Sequence, residues 1–294
     1  MPRWTIDSPR TLDLPDVAAL RVRLVSGSVA ILGGDGPPSV DVASVAGPPL
    51  LVTHEAGILT ISYEDLQPGG VRGWLRPQRH SAELTITVPG GCPAHVSVVS
   101  ASAIVSGISA NMSTKSVSGD ITLDGVTGSV DTKTVSGDLE ARGLDGDLAF
   151  NSVAGGLTVA GGTVGQFAAR TVSGQVTADV ELRDGGGLKV TTVSGDVAVR
   201  IPERTSARVD LRSASGRLRS SFDTLSPQPG VRPATVRGTL GSGSASVSLT
   251  SMAGDVALLA RAEPAPPRAR PSSPRNVQES PMDKPTATGQ GEQA

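Results

Sequence analysis

The sequence predicts an all-β chain: a parallel β-solenoid (β-helix-like) with coils of about 18–21 residues, a less regular β region before it and a disordered tail after it. Three observations carry this expectation. Gly119, Gly128, Gly137, Gly146 and Gly155 fall nine residues apart, and Gly165 and Gly174 follow with a single slip. The strongest units, "TKSVSGDI", "TKTVSGDL", "FNSVAGGL", "ARTVSGQV", "VTTVSGDV" and "LRSASGRL", recur at every second glycine, first 18 and later about 21 residues apart. Within and around each unit apolar and polar residues alternate with a period of two, and no segment carries a helical stripe. A fixed period in this range marks a stacked architecture, in which each unit buries its apolar face only against its neighbours.

The elements follow in chain order. Residues 1–93 read as a β region and cap continuous with the repeats. "ALRVRLVSGSVAIL" resembles a first coil, and "SVDVASV", "GILTISYE" and "AELTITVP" alternate as half-buried strands, with "PGGVRGWLRPQRH" an exposed loop. Residues 94–262 are the solenoid. About five residues of strand and four of turn fill a nine-residue half-unit, and two half-units close a coil. Val117, Gly119, Ile121 and Leu123 are expected inside, and Ser118, Asp120 and Thr122 outside. An antiparallel meander, each half-unit one arm, is the competing reading. The segment 221–240 interrupts the pattern, and with the N-terminal region it is expected to cap the stack. Capped ends predict a monomer rather than filaments, because uncovered terminal strands invite pairing. Residues 263–294, rich in Pro, Ser and charge, are expected to be a disordered tail.

The V-S-G-D corner therefore reads as structure. Gly119, Gly137, Gly155, Gly174, Gly195 and Gly216 stand where the backbone turns or packs closely, and the Ser and Asp side chains can cap backbone groups there. Stacking also turns positions into columns. Lys115, Lys133, Asn151, Arg170, Thr191 and Arg212 form one; Asp120, Asp138, Gly156, Gln175, Asp196 and Arg217 form another. The basic members Lys115, Lys133, Arg170 and Arg212 are the candidate interaction column. They could dock a repeating polymer, or simply form a solvated edge that the acidic column partly neutralises.

Composition narrows the function classes. The 36 glycines and 22 prolines are unusually many, and aromatics are only 2% of the 294 residues, so the core must be narrow and built from small aliphatic side chains. A net charge of −2 gives no general attraction to nucleic acid or anionic lipid. The single cysteine, Cys92, allows neither an intrachain disulfide nor a Cys-based metal site. Neither a signal-peptide core nor a transmembrane-length apolar run is present, so a cytoplasmic location is expected, with peripheral membrane association or a non-classical export route as the exceptions. The glycine spacing is that of calcium-loaded β-rolls, but the G-G-x-G-x-D ligand pattern is missing and no cofactor or metal is expected. No G-x-S-x-G, Walker A, G-x-G-x-x-G or H-E-x-x-H motif occurs. His54, His80 and His95 are scattered; a Cys92–His95 pair lacks an orienting third group. A polysaccharide-active β-helix enzyme would want aromatic platforms, whereas Phe150, Phe167, Phe222, Trp4, Trp74 and Tyr63 are expected in core or loop packing. No catalytic residues are assigned, and an enzyme is not expected.

"LRVRLVSGSVAIL", "GILTISYE", "AELTITVPGG" and the "VSGDI/VSGDL" units resemble the bacterial β-strand-repeat family of "putative adhesin" and toast-rack-like domains, over roughly residues 4–260. The resemblance implies a β-helix-like stack without catalytic residues. It also implies surface adhesion or a role in cell-envelope stress, with a protein or an envelope polymer as partner and self-association as a further option.

Overall fold

The computed structural model describes residues 2–63, 80–225 and 233–262. Among them every regular element is a strand, and the strands form one mixed 22-stranded sheet. The unit Met1–Ala262 is compact; the tail expected from Glu263 onward, most of the loop before His80 and the middle of the 221–240 segment lie outside the described residues.

The chain opens with β1 (Arg3–Ile6), β2 (Arg10–Asp13), β3 (Ala19–Leu24), β4 (Ser26–Gly34), β5 (Ser39–Ala46), β6 (Leu50–Glu55), β7 (Ile58–Tyr63) and β8 (Ser81–Pro89). The regular region follows with β9 (Ala94–Val98), β10 (Ser102–Ser106), β11 (Met112–Ser116), β12 (Ile121–Asp124) and β13 (Thr127–Thr134). Three long strands come next, β14 (Leu139–Ser152), β15 (Leu157–Thr171) and β16 (Val176–Thr192). The last are β17 (Val197–Pro202), β18 (Ala207–Ser213), β19 (Leu218–Ser220), β20 (Ala234–Leu240), β21 (Ala245–Ser251) and β22 (Val256–Arg261).

Pairing in the regular region is parallel, which removes the antiparallel meander. Met112 pairs with Val130 and Ile121 stands beside Leu139, each an offset of 18 residues. The offset grows to 19 at Leu157↔Val176 and to 21 at Val176↔Val197. The extra residues are absorbed as register shifts between Gly146 and Leu148 and between Val164 and Gln166. Half-units do not all separate into five-residue strands, because β14, β15 and β16 each run through a half-unit boundary.

Two runs of neighbours result, joined through those long strands. One runs β2-β5-β8-β4-β10-β12-β14-β15-β16-β17-β22-β19, the other β1-β6-β7-β3-β9-β11-β13-β14-β15-β16-β21-β18-β20. Three of their four ends are antiparallel, and the fourth, β19, lies parallel on β22. β5 lies antiparallel on β8 and β2 on β5, while β6 lies on β7 and β1 on β6. At the far end β20 covers β18 in the same manner. Leu225, packed 1% exposed beneath Gly238, fills the adjoining corner of the core.

Space order departs from chain order at both ends. The coil β3–β4, which reads as a first coil, is sandwiched between β7–β8 and β9–β10. The coil β21–β22, last in sequence, inserts between β16–β17 and β18–β19. Neither exchange follows from the period. The core between the runs is almost wholly Val, Leu, Ile and Ala; Tyr63, Phe150 and Phe167 are its large buried side chains.

Candidate functional site

Each corner is built from five successive positions. Thr114 and Ser116 point inward and Lys115 outward, so the strand phase carries Val117 outward as well. Val117 is 47% exposed, and the expectation that it lies in the core is wrong. The chain turns after Ser116, and the next inward residue is Gly119. The interior partner of the turn is the Ser or Thr three residues before the glycine. Gly137 N donates to Thr134 Oγ1 at 3.0 Å, Gly174 N to Thr171 Oγ1 at 3.0 Å, Gly195 N to Thr192 Oγ1 at 3.0 Å and Gly254 N to Ser251 Oγ at 2.8 Å. Without these hydroxyls, buried amides would be left orphaned. The signal was present in the sequence as an unbroken Ser/Thr at this position, and it was not read.

The glycine itself is required by proximity. A Cβ on Gly119, Gly137, Gly155, Gly174, Gly195 or Gly216 would come within about 2 Å of a carbonyl oxygen in the adjacent coil, from 1.8 Å at Gly119 to 2.1 Å at Gly216. The Ser before it reaches the same coil: Ser136 Oγ donates to Val117 O at 3.2 Å and Ser194 Oγ to Val172 O at 3.3 Å. The Asp after it bonds in the opposite direction. Asp120 Oδ1 accepts from Asp138 N at 3.0 Å, Asp138 Oδ1 from Gly156 N at 2.6 Å, and Asp196 Oδ1 from Asp255 N at 2.8 Å. One oxygen of each of these carboxylates is thus engaged by the backbone of the adjacent coil.

The basic residues do form a column, on the outer face of the second run. Lys115 neighbours Lys133, which neighbours Asn151; Arg170 and Thr191 follow, and then Thr250 of the inserted coil separates Thr191 from Arg212. Lys133 Nζ lies 3.5 Å from Asp131, and Arg212 binds both carboxylate oxygens of Asp210, which also raises its guanidinium pKa. Lys115 and Arg170 make no ion pair with another described residue. Beside the column is a depression of about 550 Å³ whose lining includes Ala149 and Ala168, with His95, Ser113, Asp131 and Asp147 among its polar groups. Asp147 Oδ1 accepts from Gln166 N at 2.8 Å, and Asp131 faces Lys133, so neither carboxylate is poised for acid–base work.

The outer face of the first run is neutralised differently. Arg142 is bonded to Glu140 at 2.7 Å, Arg200 pairs with Asp179, and Arg261 reaches Asp179 at 2.7 Å. These carboxylate hydrogen bonds push the Arg142 and Arg200 pKa values upward. Cys92 is buried, which raises its thiol pKa, and its nearest acceptor is Pro93 O at 3.7 Å; His95 is exposed on the outer face, so the imagined pair does not form. Among the described residues no three His, Cys, Asp or Glu side chains gather to hold a metal, and no helix is long and apolar enough to cross a membrane.

Residues 50–259 match the Toastrack DUF4097 family, and the chain belongs to it. No curated protein matches the sequence. Solved structures similar to it include a "putative adhesin" of Parabacteroides distasonis ATCC 8503, at 13% identity over 85% of this chain and 96% of that one, TM-score 0.36. A "putative adhesin" of Bacteroides fragilis NCTC 9343 is 11% identical over 88% and 97%, TM-score 0.35. A "putative lipid binding protein" of P. distasonis is 12% identical over 85% and 96%, TM-score 0.33.

Proposed function

We propose that the chain is a non-enzymatic, adhesin-like interaction scaffold, wound as a parallel β-solenoid, that presents the outer face of its second strand run to an extended partner at the cell envelope. The observation that carries this is the recurrence of a cation at one outward position along the stack, interrupted by Asn151, Thr191 and Thr250. A reaction site needs different groups converging on one atom, whereas here one position repeats as Lys115, Lys133, Arg170 and Arg212 along the stack. Parallel strands lie about 4.8 Å apart, so a repeating anionic polymer can meet cations at several points, each weak alone. Lys115 and Arg170, which make no ion pair with another described residue, and the shallow depression beside the column, floored by Ala149 and Ala168, give such a chain charge and room. Toastrack membership agrees with a scaffold of this type.

The location that fits is cytoplasmic or peripheral to the membrane. Fractionation of the native protein into cytosol, salt-washable membrane and medium tests it, with recovery from the medium favouring an exported adhesin of the same binding chemistry. Binding is tested with an anionic and a neutral polysaccharide of equal length. Preferential, salt-sensitive retention on the anionic one, lost in K115E/R170E, is expected. Equal retention on both removes the basic column as the contact, and release of reducing ends by the purified chain removes the non-enzymatic reading.

A further inference from the structure

Between the basic and acidic columns runs a ridge that the corner does not need. Val99, Val117, Val135, Val153, Val172, Val193 and Met252 stand on successive coils, each between 43% (Val99) and 59% (Met252) exposed. Their backbones are joined in that order: Ser118 N bonds Val99 O, Ser136 N bonds Val117 O, Ala154 N bonds Val135 O, Val172 N bonds Val153 O, Ser194 N bonds Val172 O and Ala253 N bonds Val193 O. The position beside each is Ser or Ala, and Ser118, Ser136, Ser173 and Ser194 spend their hydroxyls on carbonyls of the coil below. The result is an unbroken aliphatic strip whose neighbouring polar groups are already satisfied. Its exposed area is on the order of 500 Å², near the upper limit for a monomer surface that has no partner.

We infer that this ridge is the interface of a side-by-side homodimer whose two-fold axis runs along it. The flanking charges select that occupant and that axis. In every coil the cationic position lies two residues before the ridge and the acidic position three after it, on opposite sides of the corner. Rotation about an axis along the ridge brings the cationic flank of one copy over the acidic flank of the other, coil against like coil. Lys115 then faces Asp120 of the second copy and Lys133 faces Asp138, and symmetry makes each pair twice. Rotation about an axis across the ridge would set cations against cations. At the far end Arg212, already held by Asp210, meets Arg217, and Lys133 lies 3.5 Å from its own Asp131, so the attraction is strongest at the coil of Lys115. Two ridges together bury about 1,000 Å², the low end for a specific complex, so a dimer of roughly micromolar affinity is expected. This contact is lateral to the stack and separate from the antiparallel strands β1, β2 and β20 at its ends. The contact draws on Lys115 and Lys133 of the basic column, so it competes with the polymer contact proposed above and is tested with no polymer present.

Sedimentation equilibrium of the full chain up to about 0.5 mM tests it. A reversible dimer is expected. The isosteric V135T/V153T/V172T variant should weaken it at least tenfold with an unchanged melting curve. K115E/K133E should weaken it roughly tenfold at low salt and much less at high salt. Position then fixes the axis: about an axis along the ridge every ridge residue meets its own copy, so V117C, V153C and V193C should each oxidise to a cross-linked dimer, while T158C on the first run's outer face should not. A monomer throughout the range, a dimer indifferent to the threonine variant, or cross-linking at V153C alone, as an axis across the ridge would give, each overturns the proposal.

Discussion

Gly155 sits so close to Gly137 of the preceding coil that a Cβ on it would lie 2.1 Å from the Gly137 carbonyl oxygen, while its own amide donates 2.7 Å to Ser152 Oγ. The same relation links Gly174 to Gly155 at 2.0 Å and Gly195 to Gly174 at 1.9 Å. The repeat is therefore set by the spacing of one coil on the next. A corner that turns this tightly against its neighbour admits no side chain at one point, and the hydroxyl three residues earlier supplies the hydrogen bond the turn leaves open.

Gly155→Ala should cost roughly 2–4 kcal/mol, since the obstacle is the Gly137 carbonyl, which is backbone and cannot rotate away. Gly34→Ala is the control. Nothing lies within 4 Å of a Cβ there and its φ is not in the left-handed region, so a change of at most about 0.5 kcal/mol is expected. Urea unfolding of both variants measures the difference; equal midpoints would mean that the stack relaxes around the added methyl.

Thr192→Val keeps the shape of a side chain that is 1% exposed and deletes the oxygen that accepts from Gly195 N at 3.0 Å. The orphaned amide should cost about 1–3 kcal/mol. Thr192→Ser restores the acceptor and should recover most of that loss. Chemical denaturation of the pair separates the hydrogen bond from the packing, because only the valine variant lacks the oxygen.

Much of this was legible. The growth of the glycine interval from 18 toward 21 residues reappears as the growth of the strand offset, because parallel pairing sets each repeat beside the next. The phase of Val117 is less direct. Alternation carried forward from the outward Lys115 puts Val117 outside, whereas alternation carried backward from Ile121 puts it inside, and the turn between them shifts the phase. What the sequence does not display is which coil lies beside which. β21 offers Val247 and Leu249 to whichever ladder accepts them, and coils of near-identical pattern compete on equal terms, so the insertions of β3–β4 and β21–β22 have no local signature.

The insertion of β21–β22 makes the C-terminal strands structural for what precedes them. In a simple stack, trimming the last coil exposes one fresh face and leaves the rest. Here a chain ending after Ser242 loses the partners of β16 and β17 on one side and of β18 and β19 on the other. Leu188, Val190, Leu211 and Leu218 would lose apolar neighbours across the gap. Hydrogen exchange of this truncation should show protection lost in Ala207–Ser220 as well as in the deleted segment, with protection retained around Leu139 and Leu157. Undisturbed protection in β18 would mean that it closes directly onto β16.

Tyr63 provides a spectroscopic check on the N-terminal end of the core. Its ring is fully buried, meets His80 edge-on at a centroid distance of 5.0 Å, and its hydroxyl has no hydrogen-bond partner among the described residues; burial pushes its pKa up to about 12. It is the only tyrosine in the chain, so phenolate absorbance reports on it directly. The native protein should titrate near pH 12 and the denatured chain near 10. The folded state holds this proton more tightly, so its contribution to stability is complete below about pH 10. It is lost as pH rises through the folded value, at up to about 1.4 kcal/mol per pH unit. Tyr63→Phe removes that dependence and the unsatisfied hydroxyl together. It should be more stable at neutral pH, by about 1 kcal/mol, and should lose less stability than the parent between about pH 10 and 11. A native phenolate midpoint near 10 would place the hydroxyl in contact with water and remove both expectations.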